Sequence, residues 1–482
     1  MKTMKKLTTV IVLLLLLNSC GGSATTETNE FSADIKETVA ETERLYPEYT
    51  LDRAGADFNI FFFDPIAAGG WSSEIPCDID QPELTGESLS DSIYNRNRKI
   101  EEMYNTRITT APQPDWDMVT PISQSVLSNS GTYDAVFPVW EFISPLIINQ
   151  YLLPLQDLLD FRTPWWNPES VEAFTMRGQT YAATGDLTYM DKLSDTIVMF
   201  NKQIAADHDL GNLYQLVLDY QWTFDTMLSM GEKVSYDADG NGKYDILDHY
   251  GFSGQNDAAY QLFHSAGVTY CHTDPEGNIL FSAGDEQSVD LFMKIFRFMN
   301  DDSQYFNRQT HGLKISDVVT MFQENRVLFF MRPMQTLFEL RAMDADFGII
   351  PTPLMDTDQT EYRTAIAHTT AIAASLPIDV KDSEASAMVL DTLAAESYYT
   401  VNDVLYELIL GTKVVRDSES VKNLDIIFEG HIYDPGCIFG FGGFAVKMMN
   451  QWETPDTVAS TIQSLLPAIE TDIAALLDAV NP

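Results

Sequence analysis

The run Phe58-Asn59-Ile60-Phe61-Phe62-Phe63 is almost wholly aromatic or branched and stops abruptly at Asp64-Pro65. A strand with one solvated face would alternate polar and apolar residues. This run does not, so it predicts a strand covered on both faces, as in a parallel sheet layered with helices. Comparable runs recur at Ala135-Val136-Phe137, Val327-Leu328-Phe329-Phe330 and Phe347-Gly348-Ile349-Ile350. Between them the apolar spacing becomes helical. Residues 88–105 form a polar-rich helical stretch, and Leu291, Ile295, Phe298 and Met299 recur at threes and fours. Val458, Ile462, Leu465, Ile469, Ile473, Leu476 and Val480 make one apolar stripe, which Pro467 is expected to kink. Alternation of buried strands and helices predicts an α/β fold. At 482 residues, without an internal repeat, the chain exceeds what one core usually serves, so two lobes are expected.

The N-terminus reads as an export signal. Lys2, Lys5 and Lys6 precede an unbroken apolar run from Val10 to Leu17, far shorter than the ~20 residues a spanning helix needs. Small residues then lead into Leu17-Asn18-Ser19-Cys20, which resembles the lipobox of bacterial lipoproteins. The resemblance implies removal of residues 1–19 and lipidation of Cys20. Residues 20–56 are small, polar and acidic and are expected to form a flexible tether. The expected location is the outer side of the cell membrane, lipid-anchored, extracellular or periplasmic. A formal charge of -42, from 71 acidic and 29 basic residues, excludes nucleic acid as a natural partner, because phosphate backbones need Lys and Arg to displace counterions. Beyond Cys20, Cys77, Cys271 and Cys437 form no C-x-x-C pair and are expected to be buried, inert thiols.

Several stretches, in order, carry a family resemblance. They are Gly131-Thr132-Tyr133-Asp134, Leu153-Pro154-Leu155-Gln156-Asp157-Leu158-Leu159, Arg177-Gly178-Gln179-Thr180-Tyr181 and Met199-Phe200-Asn201-Lys202. Met321-Phe322-Gln323-Glu324-Asn325-Arg326-Val327 and Asp346-Phe347-Gly348-Ile349-Ile350-Pro351-Thr352-Pro353 follow. Together the chain resembles the extracellular solute-binding lipoproteins of ABC importers, in the carbohydrate group related to maltose-binding protein. The resemblance implies a two-lobed periplasmic-binding fold of type II, with two or three crossing segments and an interlobe cleft. It places residues 57–180 and 315–368 in lobe one and residues 181–314 and 369–482 in lobe two. It also implies a monomer that binds a solute, most plausibly an oligosaccharide, delivers it to ABC permease subunits and catalyses no reaction.

Ligands in such folds sit outside the carboxyl ends of the strands, where aromatic rings stack on sugar faces and carboxylates accept from hydroxyls. The candidates are Asp64, Trp71, Trp140, Asp186, Arg332, His368, Phe439 and Phe441. Trp165, Trp166 and Trp222 read as structural. One further motif stands out. Asp237, Asp239, Asn241, Lys243, Asp245 and Asp248 fall at positions 1, 3, 5, 7, 9 and 12 of a calcium loop with Gly242 at the turn, although position 12 is Asp instead of the usual Glu. A structural Ca²⁺ is the cofactor this offers, and no catalytic cofactor is expected. The alternatives are an exported carbohydrate-active hydrolase, for which no G-x-S-x-G or H-E-x-x-H signature exists, or a surface glycan-capture lipoprotein of helical repeats, which the strand runs oppose.

Overall fold

The computed structural model describes residues 45–69, 75–341, 343–410, 415 and 417–480. Nearly all of them lie in the second of two compact units, 1–46 and 47–482. The signal segment and Cys20 lie outside the described residues, as does Trp71. Residues 47–56, expected to belong to the tether, are instead docked on the body. Arg53 donates its backbone N–H to Tyr104 and its guanidinium to Asp134 at 2.9 Å, and Tyr49 hydrogen-bonds Asp391. Polar composition hid this because these contacts are hydrogen bonds and ion pairs, not apolar burial.

The aromatic run becomes β1, Asp57–Phe63, followed by helix α1 (Ser88–Tyr104), β2 (Arg107–Gln113) and β3 (Ala135–Phe137). These strands form one parallel sheet in the order β2-β1-β3, with Phe63 opposite Gln113 and Phe62 opposite Phe137. The second sheet contains β4 (Thr196–Asn201), β5 (Tyr250–Gly254), β6 (Tyr305–Asn307), β7 (Val327–Pro333) and β8 (Phe347–Ile350), in the order β6-β5-β7-β4-β8. It is mixed: β7 is parallel to β5, whereas β4 runs antiparallel to both β7 and β8. The remaining helices used here are α2 (Glu286–Met299), α3 (Ser383–Tyr399), α4 (Val401–Leu410), α5 (Ser418–Glu429) and α6 (Val458–Ala479). α6 runs as one helix through Pro467.

Strand pairing corrects the expected lobe boundaries. Segment 315–368 does not join the first sheet, because its strands β7 and β8 pair with β4 and β5. Conversely, part of 369–482 belongs beside the first sheet. Residues 371–377 run antiparallel to β3, with Val136 bridged to Ser375 and Val139 to Ile372, and α3 and α4 pack on α1. The chain then returns, since α5 packs on β8 and Ser420 Oγ accepts from the Ile349 N–H at 3.0 Å. The reason lies in the two antiparallel crossings, 183–196 and 366–374, tied by the Ala183–Ala374 and Asp195–Ile366 bridges. No break in composition marks these points, so sequence alone placed them poorly.

Candidate ligand-binding cleft

Both crossings meet the sheets at the carboxyl ends of their strands. Thr196 opens β4 opposite Pro333, the last residue of β7, while Val136 and Val139 at the end of β3 pair with 371–377. The carboxyl edges of the two sheets therefore flank the crossings, the place where open α/β sheets bind ligands. A cavity of about 340 Å³ lies there. Glu141, Phe142 and Pro145 wall it on the first-sheet side, His368 on a crossing, and Cys437, Gly440, Gly443, Ala445 and Val446 on the C-terminal side. That size falls within the ~300–1,000 Å³ of typical small-molecule sites.

Two candidates, His368 and Arg332, hold buried polar atoms without a hydrogen-bond partner. His368 is 1% exposed, and neither ring nitrogen has a hydrogen-bond partner. Burial pulls its imidazole down to about 4, so near neutrality the ring is uncharged, with one N–H to donate and one lone pair to accept. A sugar hydroxyl, which both donates and accepts, matches that pair. Arg332, near the end of β7, is 4% exposed, leaves Nε unpartnered and makes no ion pair among the described residues. Burial pulls its guanidinium down against the opposing influence of Asp257. A buried, unpaired cation is costly unless something supplies acceptors.

Asp257, Tyr260 and Arg308 surround this position and were not singled out from sequence. Asp257 follows β5, and burial raises its carboxyl while Arg332 and Arg308 lower it. The Tyr260 hydroxyl is buried without a partner, and its ring stands 4.7 Å from His368. Arg308 is braced by Gln255 at 2.8 Å and the Leu313 carbonyl. Asp257 and Tyr260 follow the strand Tyr250–Gly254, which contains two glycines and a serine and so lacked the apolar signature of a buried strand. Glu141 was missed for the opposite reason, lying inside an apolar stretch; burial raises its carboxyl.

The other candidates are not presented to a ligand. Asp64 caps the turn after β1, accepting from the Ile66 and Ala67 N–H groups. Trp140 is 1% exposed, with its ring against Phe174 and Tyr433, although its Nε1 lacks a partner. Asp186 is engaged by Lys192 at 3.0 Å and by Asn402. Phe439 and Phe441 are buried against each other, ring centroids 5.7 Å apart. Large apolar side chains after strands closed the core here instead of lining its opening. Trp165, Trp166 and Trp222 are buried with their N–H groups satisfied by Asp391 and the Pro351 carbonyl, as structural residues would be.

A charged pair sits at the crossing. His431 Nε2 lies 2.7 Å from Asp195, which is fully buried. Burial pushes the Asp195 carboxyl up to about 6 although His431 draws it down; burial draws His431 down, but Asp195 outweighs it and the imidazole ends above its ordinary value. Both groups hold protons more tightly folded than unfolded. Stability is therefore greatest in mild acid and falls as pH rises through about 6 and past the raised His431 value. Thermal denaturation from pH 5 to 9 should show that fall, and Asp195→Asn should flatten it, because it removes the raised carboxyl and with it the main influence that raises His431; an unchanged pH profile in the variant would contradict the assignment.

Two clusters have ligands for a metal. The carboxylates of Asp237, Asp239 and Asp248 lie within 4.8 Å of one another, with Asp248 fully buried. Asp237 accepts from the Gly240 and Gly242 N–H groups at 2.7 Å, curling the loop toward that point. His264, Asp434 and Cys437 also cluster. Asp434, however, is already taken by the N–H groups of Tyr270, Cys271 and Gly436 and by His264. It braces a chain turn. Cys77, Cys271 and Cys437 are free, and burial pushes the Cys77 thiol up to about 12 and the other two well above the ordinary range.

No protein-family model and no curated protein matches the sequence. Solved structures do. A cyclo/maltodextrin-binding protein complexed with maltotetraose aligns over 90% of this chain and 98% of its own, with TM-score 0.55 and 12% identity. The fold is that of a two-lobed solute-binding protein. UspC of M. tuberculosis matches with TM-score 0.55 at 16% identity, over 86% of this chain and 99% of its own. The ABC substrate-binding protein of Listeria monocytogenes in complex with cycloalternan matches with TM-score 0.54 at 11% identity, over 86% and 99%. The solute-binding fold accounts for the paired crossings and for a cavity at facing strand ends.

Proposed function

We propose that this chain is a receptor that captures a carbohydrate between its lobes and hands it to the permease of an ABC importer, held at the membrane by lipid on Cys20. The observation that carries the reading is the buried, unpartnered polarity of His368, which lines the cavity, and of Arg332 Nε and the Tyr260 hydroxyl at the second sheet's carboxyl edge. Such groups need acceptors and donors from outside the chain, and a polyhydroxylated solute offers both. The fold and the oligosaccharides bound by its structural neighbours support the same reading. No helix among the described residues is long and apolar enough to cross a membrane. On this reading attachment falls to Cys20, and confinement near a permease raises effective concentration.

A thermal-shift panel of mono- and oligosaccharides, with the sugars recovered afterwards, tests this function. At least one saccharide should raise the melting temperature and return unmodified. No shift with any sugar, or recovery of cleaved products, would reject it. Cys20→Ser should release the protein into the medium with sugar affinity unchanged.

The loop 237–248 is proposed to hold a structural Ca²⁺, through the carboxylates of Asp237, Asp239 and Asp248, with Asn241, Lys243 and Asp245 as further oxygen donors. Addition of Ca²⁺ after chelation should raise the melting temperature by several degrees, and Asp248→Asn should remove most of that gain. Equal melting temperatures with chelator and with Ca²⁺ would count against it.

A further inference from the structure

Trp116 is the one tryptophan among the described residues left substantially in water, at 49% exposure. It stands just past the end of β2 in the loop 114–118, and that loop is braced at both ends. Gln113 donates its side-chain amide to the Asp117 carbonyl at 2.9 Å, and its own carbonyl accepts from the Asp64 N–H at 3.0 Å. Asp117 accepts from the Thr120 N–H at 2.9 Å, and Met118 is fully buried. The indole itself rests on Phe63, the buried last residue of β1, with ring centroids 4.8 Å apart at 46°. A large apolar surface is thus held fixed and half exposed at the carboxyl edge of the first sheet.

The sheet order locates it relative to the cavity. β3 leads into Glu141 of the cavity wall, β1 lies between, and β2 with Trp116 lies on the far side. Two strand spacings amount to roughly 10 Å. A solute seated in the cavity reaches the indole only if it extends along the strand ends. Sugar rings carry apolar C–H faces that stack on such a surface, and a rigid platform costs little ordering entropy on binding.

We propose that Trp116 is the stacking platform of an outer subsite, which makes the ligand an extended oligosaccharide and not a monosaccharide. This rests on the carbohydrate-receptor reading above. Calorimetry on the full chain with malto- and xylo-oligosaccharide series, from one to six units, tests it in wild type, Trp116→Ala and Trp116→Phe. Trp116→Ala should lose about tenfold in affinity for the longest bound members and less than twofold for the shortest, and Trp116→Phe should recover most of the loss. Affinities are compared well below each protein's melting temperature, because Trp116→Ala also gives up the half-buried contact with Phe63. Equal affinity in Trp116→Ala at every length, or an equal loss at every length, would overturn the outer subsite alone. Failure of the wild type to bind any member of either series would overturn the subsite together with the receptor reading for these sugars.

Discussion

Asp391→Ala is expected to lower folding stability by about 3–5 kcal/mol. Asp391 is 2% exposed and sits in α3, beneath the first sheet's connections. Its Oδ1 accepts from the indole N–H groups of Trp165 at 2.6 Å and Trp166 at 2.8 Å, and its Oδ2 from the Tyr49 hydroxyl at 2.9 Å. Both tryptophans are 2% exposed, so neither N–H can turn to water when the carboxylate is removed. Each buried, unsatisfied donor costs about 1–3 kcal/mol, and the lost contact of residues 47–56 adds to that. Asp391→Asn retains an acceptor oxygen and should cost about half as much. Chemical denaturation reads the difference; a loss under 1 kcal/mol for alanine would contradict the role given to Asp391.

Arg332→Met is expected to separate binding from stability. In the free protein the guanidinium is buried and makes no ion pair among the described residues. Replacing it with an apolar side chain of similar length removes a desolvated charge, so the melting temperature should hold or rise. Affinity for saccharide should fall about 10- to 150-fold, since hydrogen bonds to a charged group are worth about 1.5–3 kcal/mol. A residue that merely supported the fold would move both quantities downward together. Calorimetry beside thermal denaturation distinguishes the cases, and a variant that melts much lower while binding normally would assign Arg332 to the fold.

How far the sequence discloses this molecule depends on the physical term involved. β1, β3, β7 and β8 were legible because a strand covered on both faces must be apolar throughout, and α6 because one face of a long helix is buried. β5 was illegible: Gly251 lies so close to Gly231 that a Cβ there would come 2.2 Å from backbone, and that close packing replaces side-chain burial. The lobe boundaries were misplaced because a crossing is defined by pairing partners hundreds of residues away. Arg332 and His368 stood out as polar residues beside apolar runs, and in the structure Arg332 Nε and both His368 ring nitrogens are buried without a hydrogen-bond partner. Aromatic residues misled in both directions. Trp140, Phe439 and Phe441 follow strands or fill glycine-rich loops yet close the core, whereas Trp116, in the plain sequence Pro114-Asp115-Trp116-Asp117, is held half open to solvent.

Capture as proposed has one solute gripped by both lobes at once. Amide hydrogen exchange, with and without a saturating saccharide from the stabilising set, tests it most directly. Protection should appear together in 138–145 on the first-sheet side and in 255–260 and 331–336 at the second, with 366–370 on the crossing between them. Protection confined to one sheet, or to surfaces away from these strand ends, would contradict capture between the lobes.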